Sequence, residues 1–383
     1  MWTLRRCVMG KQDKRIRGQC WRFRTWRAVS GAVFIFAGLA LSGCSSPPLI
    51  PYSADTPALV LLPASQAGIA DKRGRFREIF CRVLETRGTS LPDYRPCDEA
   101  LTRVGAEPPG TGEAVHLGQS RRGLVAVIVP GVGWDCFSDW LAPQGSVAEH
   151  LRQFGYDQVT LRVDGLSGSG NNARQIRDAI MALEPQNSAP RLVLVGYSKG
   201  APDILEAVVS YPEIRGRVAA VISVAGAVGG SALANDATQS QLNLLRYWPG
   251  ARCAPGDAGA LDSLRPATRQ AWLAANPLPE DMAYYSLITF PQPGRISAVL
   301  KASYNKLAQI DARNDSQVVF YDQVIPRSTL VGFINADHWA AVPIARSHSI
   351  LGATLVNHND FPREALFEAL LRFVEWDLAT AAD

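Results

Sequence analysis

The sequence predicts an α/β fold, a doubly wound and mostly parallel sheet with helices on both faces, and three observations support it. From residue 123 onward, short apolar runs alternate with amphipathic segments of helical length, which is typical of parallel βαβ units. The apolar runs are rich in β-branched residues and continuous, as strands buried on both faces are. One run, Arg191–Val195, passes through only five residues, Gly196–Gly200, into a helical pattern at 201–210.

Each element is justified by its pattern. The predicted strands are Leu124–Val129, Gln158–Val163, Arg191–Val195, Val218–Val224 and Thr329–Ile334, and the predicted helices are Val147–Phe154, Asn172–Leu183 and the segment 201–210. Pro202 suits the first turn of the last helix. The glycine-rich stretch 165–172 has neither a Gly-x-Gly-x-x-Gly pattern nor a Lys-Ser/Thr ending, which excludes a nucleotide site there.

The turn Gly196-Tyr197-Ser198-Lys199-Gly200 is the most informative stretch of the chain. A strand that reverses into a helix within five residues forces the central residue into a strained turn. Gly196 and Gly200 are needed beside it because a Cβ atom would clash with the neighbouring strand or helix. The Ser198 hydroxyl is then presented at the carboxyl end of the sheet, where open α/β folds bind ligands.

Residues 1–43 have the pattern of a secretory signal. Residues 1–27 carry nine Lys or Arg and one acid, and the uncharged run 28–41 is too short to span a bilayer comfortably. Leu41-Ser42-Gly43-Cys44 resembles a bacterial lipobox, whose cysteine is lipidated and becomes the mature N-terminus. We expect a lipid on Cys44 to anchor the protein to the bacterial cell envelope. Because Ser45 is not the aspartate that favours inner-membrane retention, we expect the outer membrane, facing the periplasm or the exterior.

The positive charge of the chain belongs to that leader. The whole chain has 39 basic and 35 acidic residues, a net charge of +4. Without residues 1–27 it has 30 basic and 34 acidic residues, a net charge of −4. No electrostatic argument for nucleic-acid binding is left.

The mature chain divides into a tether at 44–57, an N-terminal extension packed on the core at 58–120, and the main domain at 121–383. Within the extension, residues 58–62 form a candidate strand. Arg75–Glu85 is predicted to be an amphipathic helix, with an apolar face of Phe76, Ile79, Phe80, Val83 and Leu84. We expect the nearby Arg73, Arg75 and Arg77 to lie on a solvated face rather than to bind an anion.

The chain resembles the α/β-hydrolase superfamily, particularly its lipases and esterases, in the order of a strand, a Gly-x-Ser-x-Gly turn and a helix. The resemblance covers about residues 120–378. The resemblance implies a serine nucleophile, Ser198, activated by a histidine that a carboxylate orients, in the chain order Ser, acid, His. His338 follows the last predicted strand across a short polar turn, where the superfamily places its histidine; His358 is the reserve.

Two aspartates are candidates for the acid. Asn314-Asp315-Ser316-Gln317-Val318 resembles the Asn-Asp-Gly-x-Val turn of lipases, and Asp322 lies in a stretch that resembles a related Asp-x-Val-Val-Pro turn. The 23 residues from Asp315 to His338 accommodate a loop, a turn and a full strand, whereas the 16 residues from Asp322 to His338 leave little room for all three. This spacing favours Asp315, with Asp322 as the alternative.

The resemblance also implies an oxyanion hole and a cap. The amide of Lys199 is one expected donor, and the loop after the first parallel strand supplies the other, from Val132 or, as the alternative, Gly133. We expect a cap insertion at about 227–297 before the acid. Its aromatic residues, Trp248, Trp272, Tyr284 and Tyr285, are candidates for an acyl pocket or for plain structural packing.

Four of the seven cysteines lie beyond Cys44, and an even number in an exported protein predicts two disulfides with three possible pairings. Cys81 and Cys97 flank one short segment. Cys136 lies in the expected oxyanion loop and Cys253 in the expected cap, which covers the same end of the sheet. We therefore favour Cys81–Cys97 and Cys136–Cys253.

The function that the sequence favours is hydrolysis of a carboxylic ester with an apolar or acyl-bearing small-molecule substrate, by a monomer. The alternatives are an acyltransferase that uses the same site and a non-catalytic lipoprotein that keeps the fold as a binding module. No metal or cofactor is implied. The cysteine spacings do not suit zinc, because the chain has no Cys-x-x-Cys and no pair of histidines beside a cysteine.

Overall fold

The computed structural model describes residues 68–91, 93–136, 146–183, 191–247, 251–341 and 360–381. The signal-like segment, Cys44, the tether and the candidate strand at 58–62 lie outside these ranges. Trp248 and His358 also lie outside them.

Seven described strands form one sheet. They are β1 (Ala70–Asp71), β2 (Val125–Val129), β3 (Asp157–Thr160), β4 (Leu192–Tyr197), β5 (Val218–Val224), β6 (Ala283–Thr289) and β7 (Thr329–Ile334). Their order is β1-β7-β6-β5-β4-β2-β3, and every neighbouring pair is parallel. The predicted fold class is confirmed, and all five predicted strands are present with their ends shifted by up to three residues.

Helices cover both faces of this sheet. The described helices are α1 (Arg73–Arg87), α2 (Cys97–Ala100), α3 (Ser146–Arg152), α4 (Ser169–Ala182), α5 (Gly200–Ser210), α6 (Leu233–Asp236), α7 (Gln239–Arg246), α8 (Ala260–Leu264), α9 (Pro266–Ala275), α10 (Lys301–Leu307) and α11 (Arg363–Thr380). Among the described helices, none has the length and apolar character needed to cross a bilayer.

The continuous apolar runs of the strands result from burial on both faces. In β2, Ala126 and Ile128 belong to a core cluster with α1, α3 and α11. Val125, Val127 and Val129 belong to a second cluster with α4 and α5 on the other face. Because successive side chains of a strand point to opposite faces, a strand between two helical layers has apolar residues at every position.

The N-terminal extension is part of the core. β1 pairs with β7 at the edge of the sheet. The five apolar residues predicted for one face of α1 are all buried, in the cluster that includes α11. Phe76 stacks on Phe80 within α1 and meets the edge of Phe373 of α11.

The expectation of a solvated arginine face on α1 is wrong, because all three side chains are buried and paired. Arg73 donates to Asp71 and to the Val104 carbonyl. Arg75 donates to Glu78 and to the Glu113 carbonyl, and Arg77 forms a two-point ion pair with Glu107. These arginines clamp the segment 104–113 onto α1, which a local charge pattern does not reveal.

The predicted cap also needs correction, since the stretch 227–297 contains the core strand β6. Tyr284 and Tyr285 lie in that strand and are buried, so they form no part of a cap. Helices α6 to α9 fill the interval between β5 and β6.

Candidate active site

Ser198 lies in the sharp turn between β4 and α5, with a positive φ of 55°. A Cβ atom on Gly196 would lie 2.4 Å from the Ala201 Cα, and one on Gly200 would lie 1.9 Å from the Val129 carbonyl oxygen. Neither approach is possible for a side chain, so both flanking positions require glycine. This is the strained turn that the motif predicts, with the serine hydroxyl raised from the backbone.

His338 follows β7 and reaches the serine. Its Nε2 atom lies 2.9 Å from the Ser198 Oγ, and its Nδ1 atom lies 2.7 Å from the Asp315 Oδ2. The imidazole and the carboxyl group are both buried. With Nδ1–H donating to the carboxylate, Nε2 carries the lone pair that can accept the hydroxyl proton.

Asp315 is oriented by four donors. Its Oδ1 accepts from the amides of Gln317 and Val318, at 2.9 and 2.8 Å. Its Oδ2 accepts from His338 and from the Thr289 hydroxyl, which lies 2.7 Å away at the end of β6. The Gln323 amide group in turn holds both the backbone N–H and the C=O of Thr289. Neither Thr289 nor Gln323 is predicted from the sequence. Thr289 falls within the expected cap, and no motif distinguishes Gln323.

The alternative acid, Asp322, does not meet His338. It lies in a 3₁₀ turn, Phe320–Gln323, and its carbonyl accepts from the Gly229 amide at 2.8 Å. Its carboxylate lies beside Gly229 and has no hydrogen bond or ion pair within the described ranges. Burial raises its pKa from 3.8 to about 6.

We expect Asp322→Asn to stabilise the protein in a pH-dependent way while turnover is retained. Between pH 3.8 and 6 the unfolded chain loses the Asp322 proton while the folded chain keeps it, so this group weakens folding as pH rises through that window. Above pH 6 the penalty is constant, at up to about 3 kcal/mol. Urea unfolding should therefore give equal stabilities for wild type and variant at pH 4 and a more stable variant at pH 7.5. A variant no more stable than wild type at pH 7.5 would contradict this assignment.

Two backbone amides are free to hold an oxyanion beside Ser198. The turn at Pro130-Gly131 lies against the nucleophile, because a Cβ atom on Gly131 would be 3.1 Å from the Ser198 Oγ. The Gly133 amide donates to the Gly165 carbonyl at 3.3 Å, so this alternative donor is occupied. Among the described hydrogen bonds, the amides of Val132 and Lys199 have no acceptor. This pair agrees with the donors that the sequence favours.

The side chain of Lys199 is directed away from the oxyanion. It is only 1 % exposed and forms an ion pair with Asp203 one turn along α5, at 2.7 and 2.9 Å. Asn172 of α4 donates to the same carboxylate at 2.7 Å. The pair fixes the first turn of α5, and with it the Lys199 amide. Neither Asp203 nor Asn172 was predicted, because a helical i,i+4 pair of opposite charge is usually solvated.

Both cysteine pairings favoured by the sequence are bonded in the structure. Cys81–Cys97 joins α1 to α2, with a Cα separation of 5.2 Å. Cys136–Cys253 joins the loop after β2 to the segment between α7 and α8, with a Cα separation of 4.0 Å. The Arg252 amide also donates to the Cys136 carbonyl at 3.0 Å.

An apolar cluster packs against the oxyanion loop. Ala227, Leu264 and Val318 pack in one buried cluster, with Val132 and Leu261 half-buried at its rim. Helix α7 lies beside the oxyanion loop, since the Leu245 side chain is 3.3 Å from where a Cβ atom on Gly133 would lie. Leu244 on the same helix and Tyr247 just after it are 65 % and 77 % exposed.

The other two described histidines are not part of this site: His116 is exposed, and His150 is bonded to Glu368 at 2.7 Å. Within the described ranges, no group of three or more His, Cys, Asp or Glu side chains is arranged to hold a metal ion.

A parallel sheet with a serine turn at the end of an inner strand, facing a histidine after the last strand of the chain, defines the α/β-hydrolase class. A carboxyl esterase from a metagenome is similar in structure, with 41 % sequence identity, a TM-score of 0.78, and coverage of 85 % of this chain and 97 % of the esterase. The chain therefore belongs to the carboxyl esterases of that superfamily, and it is a carboxylic ester hydrolase.

Two lipases are more distant. The mature lipase of Bacillus licheniformis has 19 % identity and a TM-score of 0.47, over 59 % of this chain and 89 % of the lipase. The Staphylococcus hyicus lipase has 12 % identity and a TM-score of 0.49, over 70 % of this chain and 99 % of the lipase. No protein-family model matches the chain, and no curated protein matches it.

Proposed function

We propose that the protein is a serine esterase that hydrolyses carboxylic esters through a covalent acyl-enzyme. The observation that carries the proposal is the unbroken hydrogen-bonded path from the Ser198 Oγ through His338 to Asp315. A serine hydroxyl is a weak nucleophile unless a neighbouring base removes its proton, and this path supplies the base and its orienting carboxylate.

The first half of the reaction makes the acyl-enzyme. The Ser198 Oγ attacks the ester carbonyl carbon while its proton passes to the His338 Nε2, and the carbonyl electron pair moves onto oxygen. The amides of Val132 and Lys199 hold that oxyanion. When the tetrahedral intermediate collapses, the bond to the alcohol oxygen breaks and the alcohol takes the proton from His338.

The second half releases the acid. Water attacks the acyl carbon with its proton passing to His338, and collapse of the second intermediate returns that proton to Ser198 as the carboxylic acid departs. The apolar cluster against which Val132 of the oxyanion loop and Leu261 pack supports an ester with an apolar acyl chain as the substrate.

A fluorophosphonate probe tests the nucleophile directly, because it forms a phosphorus–oxygen bond with an activated serine and expels fluoride. We expect one label per chain, on the peptide that contains Ser198, and none on Ser198→Ala. A panel of p-nitrophenyl esters of increasing chain length then identifies the preferred acyl group. Labelling of another serine in both proteins would refute the assignment of Ser198.

We also propose that the esterase is anchored to the cell envelope by a lipid on Cys44. The supporting observation is the sequence alone, a basic head and an uncharged run before Leu41-Ser42-Gly43-Cys44. Cys44→Ser should abolish labelling by an alkyne palmitate analogue and release the protein from the membrane fraction, with esterase activity retained. Unchanged fractionation of this variant would contradict the anchor.

A further inference from the structure

Tyr197, the residue before the nucleophile, makes a contact that the reaction scheme leaves unused. It is 3 % exposed, and its hydroxyl donates to the backbone carbonyl of His338 at 2.7 Å. The two rings are 5.0 Å apart between centroids and tilted by 34°. Burial raises the pKa of Tyr197 well above its ordinary value, so the hydroxyl keeps the proton that it donates.

The loop that carries His338 is held at both ends by buried arginines. Arg95 donates to the Asn335 carbonyl at 2.7 Å, and Arg363 donates to the Ala340 carbonyl at 3.0 Å. These two contacts fix the positions of the first and last residues of the loop. The Tyr197 contact lies between them, on His338 itself, and it comes from the strand that presents Ser198.

The nucleophile and the base lie 140 residues apart in the chain, on different strands. Their distance is therefore set by how the end of β4 is joined to the loop after β7. Tyr197 joins the two directly, because its backbone continues into Ser198 and its hydroxyl holds the carbonyl of the base. Misplacement of reacting groups by about 1 Å can cost on the order of 10²-fold in rate.

We propose that Tyr197 is a positioning residue that sets the approach of the His338 Nε2 to the Ser198 Oγ. The proposal rests on the proposed function, in which His338 is the general base. The Tyr197 hydroxyl bonds the backbone carbonyl of His338 and none of the three side chains of the proton path, so it acts through the backbone of His338. Loss of its hydroxyl should slow chemistry and leave ground-state binding of the ester unchanged.

Tyr197→Phe removes only the hydroxyl and keeps the ring contacts. We expect kcat for a p-nitrophenyl ester to fall about 10- to 100-fold with KM within about twofold, and the rate of fluorophosphonate inactivation to fall in parallel. The low-field proton resonance of the His338 Nδ1–H should shift or broaden, because the imidazole is no longer held in one orientation.

Tyr285→Phe is the matched control. Tyr285 is 1 % exposed, and its hydroxyl donates to Asp377 at 2.8 Å, toward the amino end of the sheet. This variant should lose thermal stability while kcat stays within about twofold of wild type and the low-field resonance is unchanged. A merely structural role for Tyr197 would make the two variants behave alike.

A second variant tests the donor itself. Tyr197→4-aminophenylalanine, introduced by amber suppression, restores an N–H donor at the same place and should return kcat to within about fivefold of wild type. The proposal is overturned if Tyr197→Phe keeps wild-type kcat, or if the amino variant is as slow as the Phe variant. If Ser198→Ala also keeps wild-type turnover, the proposed function has failed; if Ser198→Ala is inactive, only the positioning role has failed.

Discussion

Replacing the nucleophile should lower ester turnover by about 10⁴-fold or more, since Ser198→Ala removes the group that forms the acyl-enzyme. Stability should change little, because Oγ has one hydrogen bond among the described residues, to His338. The measurement is initial-rate hydrolysis of a p-nitrophenyl ester, with the melting temperature as the check on folding.

Nucleophile, base and acid act as one unit, so their losses should not add. His338→Ala and Asp315→Asn should each approach the loss of Ser198→Ala, and the Ser198→Ala/His338→Ala double variant should be no slower than Ser198→Ala. Asp322→Asn serves as the matched acid control, because its carboxylate has no contact with His338 in the described ranges. Wild-type turnover by Ser198→Ala would refute the serine mechanism.

The parallel sheet is predictable from sequence because its inner strands β2, β4 and β5 are almost continuously apolar. Strand β6 is not predicted because residues with hydroxyl groups interrupt its apolar sequence. Tyr285 donates to Asp377, and the Ser286 hydroxyl lies 2.8 Å from that of Ser328. The partners that satisfy these buried hydroxyls are remote in the chain, so the local pattern resembles a loop or a cap rather than a core strand.

Contacts between residues remote in the chain also explain why the supporting residues of the site are not predicted while the catalytic ones are. Ser198, His338 and Asp315 can be chosen from chain order, spacing and a strained turn, all of which are local features or counts along the chain. Thr289 and Tyr197 support them through contacts that span 26 and 141 residues. A threonine at a strand end and a tyrosine in an apolar strand are ordinary by themselves, and no spacing rule distinguishes them.

The disulfide between Cys136 and Cys253 should contribute the largest covalent stabilisation in the described part of the chain. It closes a loop of 117 residues, for which the loss of unfolded-chain entropy is worth up to about 4–5 kcal/mol. Cys81–Cys97 closes only 16 residues, worth about 3 kcal/mol in the same treatment. Urea unfolding of Cys136→Ser/Cys253→Ser should therefore give a larger loss than that of Cys81→Ser/Cys97→Ser.

The Cys136–Cys253 bridge should also affect turnover, because it anchors the loop that carries the Val132 amide. The Cys136 amide donates to the Gly133 carbonyl at 3.1 Å, so a displacement at the bridge passes directly to the oxyanion turn. Loss of one oxyanion donor costs about 10²- to 10³-fold in kcat. This range is the upper limit for the loss of kcat in Cys136→Ser/Cys253→Ser. We expect kcat to fall within that limit at a temperature where the variant remains folded, with KM changed less. As a control, non-reducing peptide mapping of the wild type must recover the Cys136–Cys253 peptide. Free thiols at these two cysteines would refute the coupling, and so would unchanged stability and kcat in the variant.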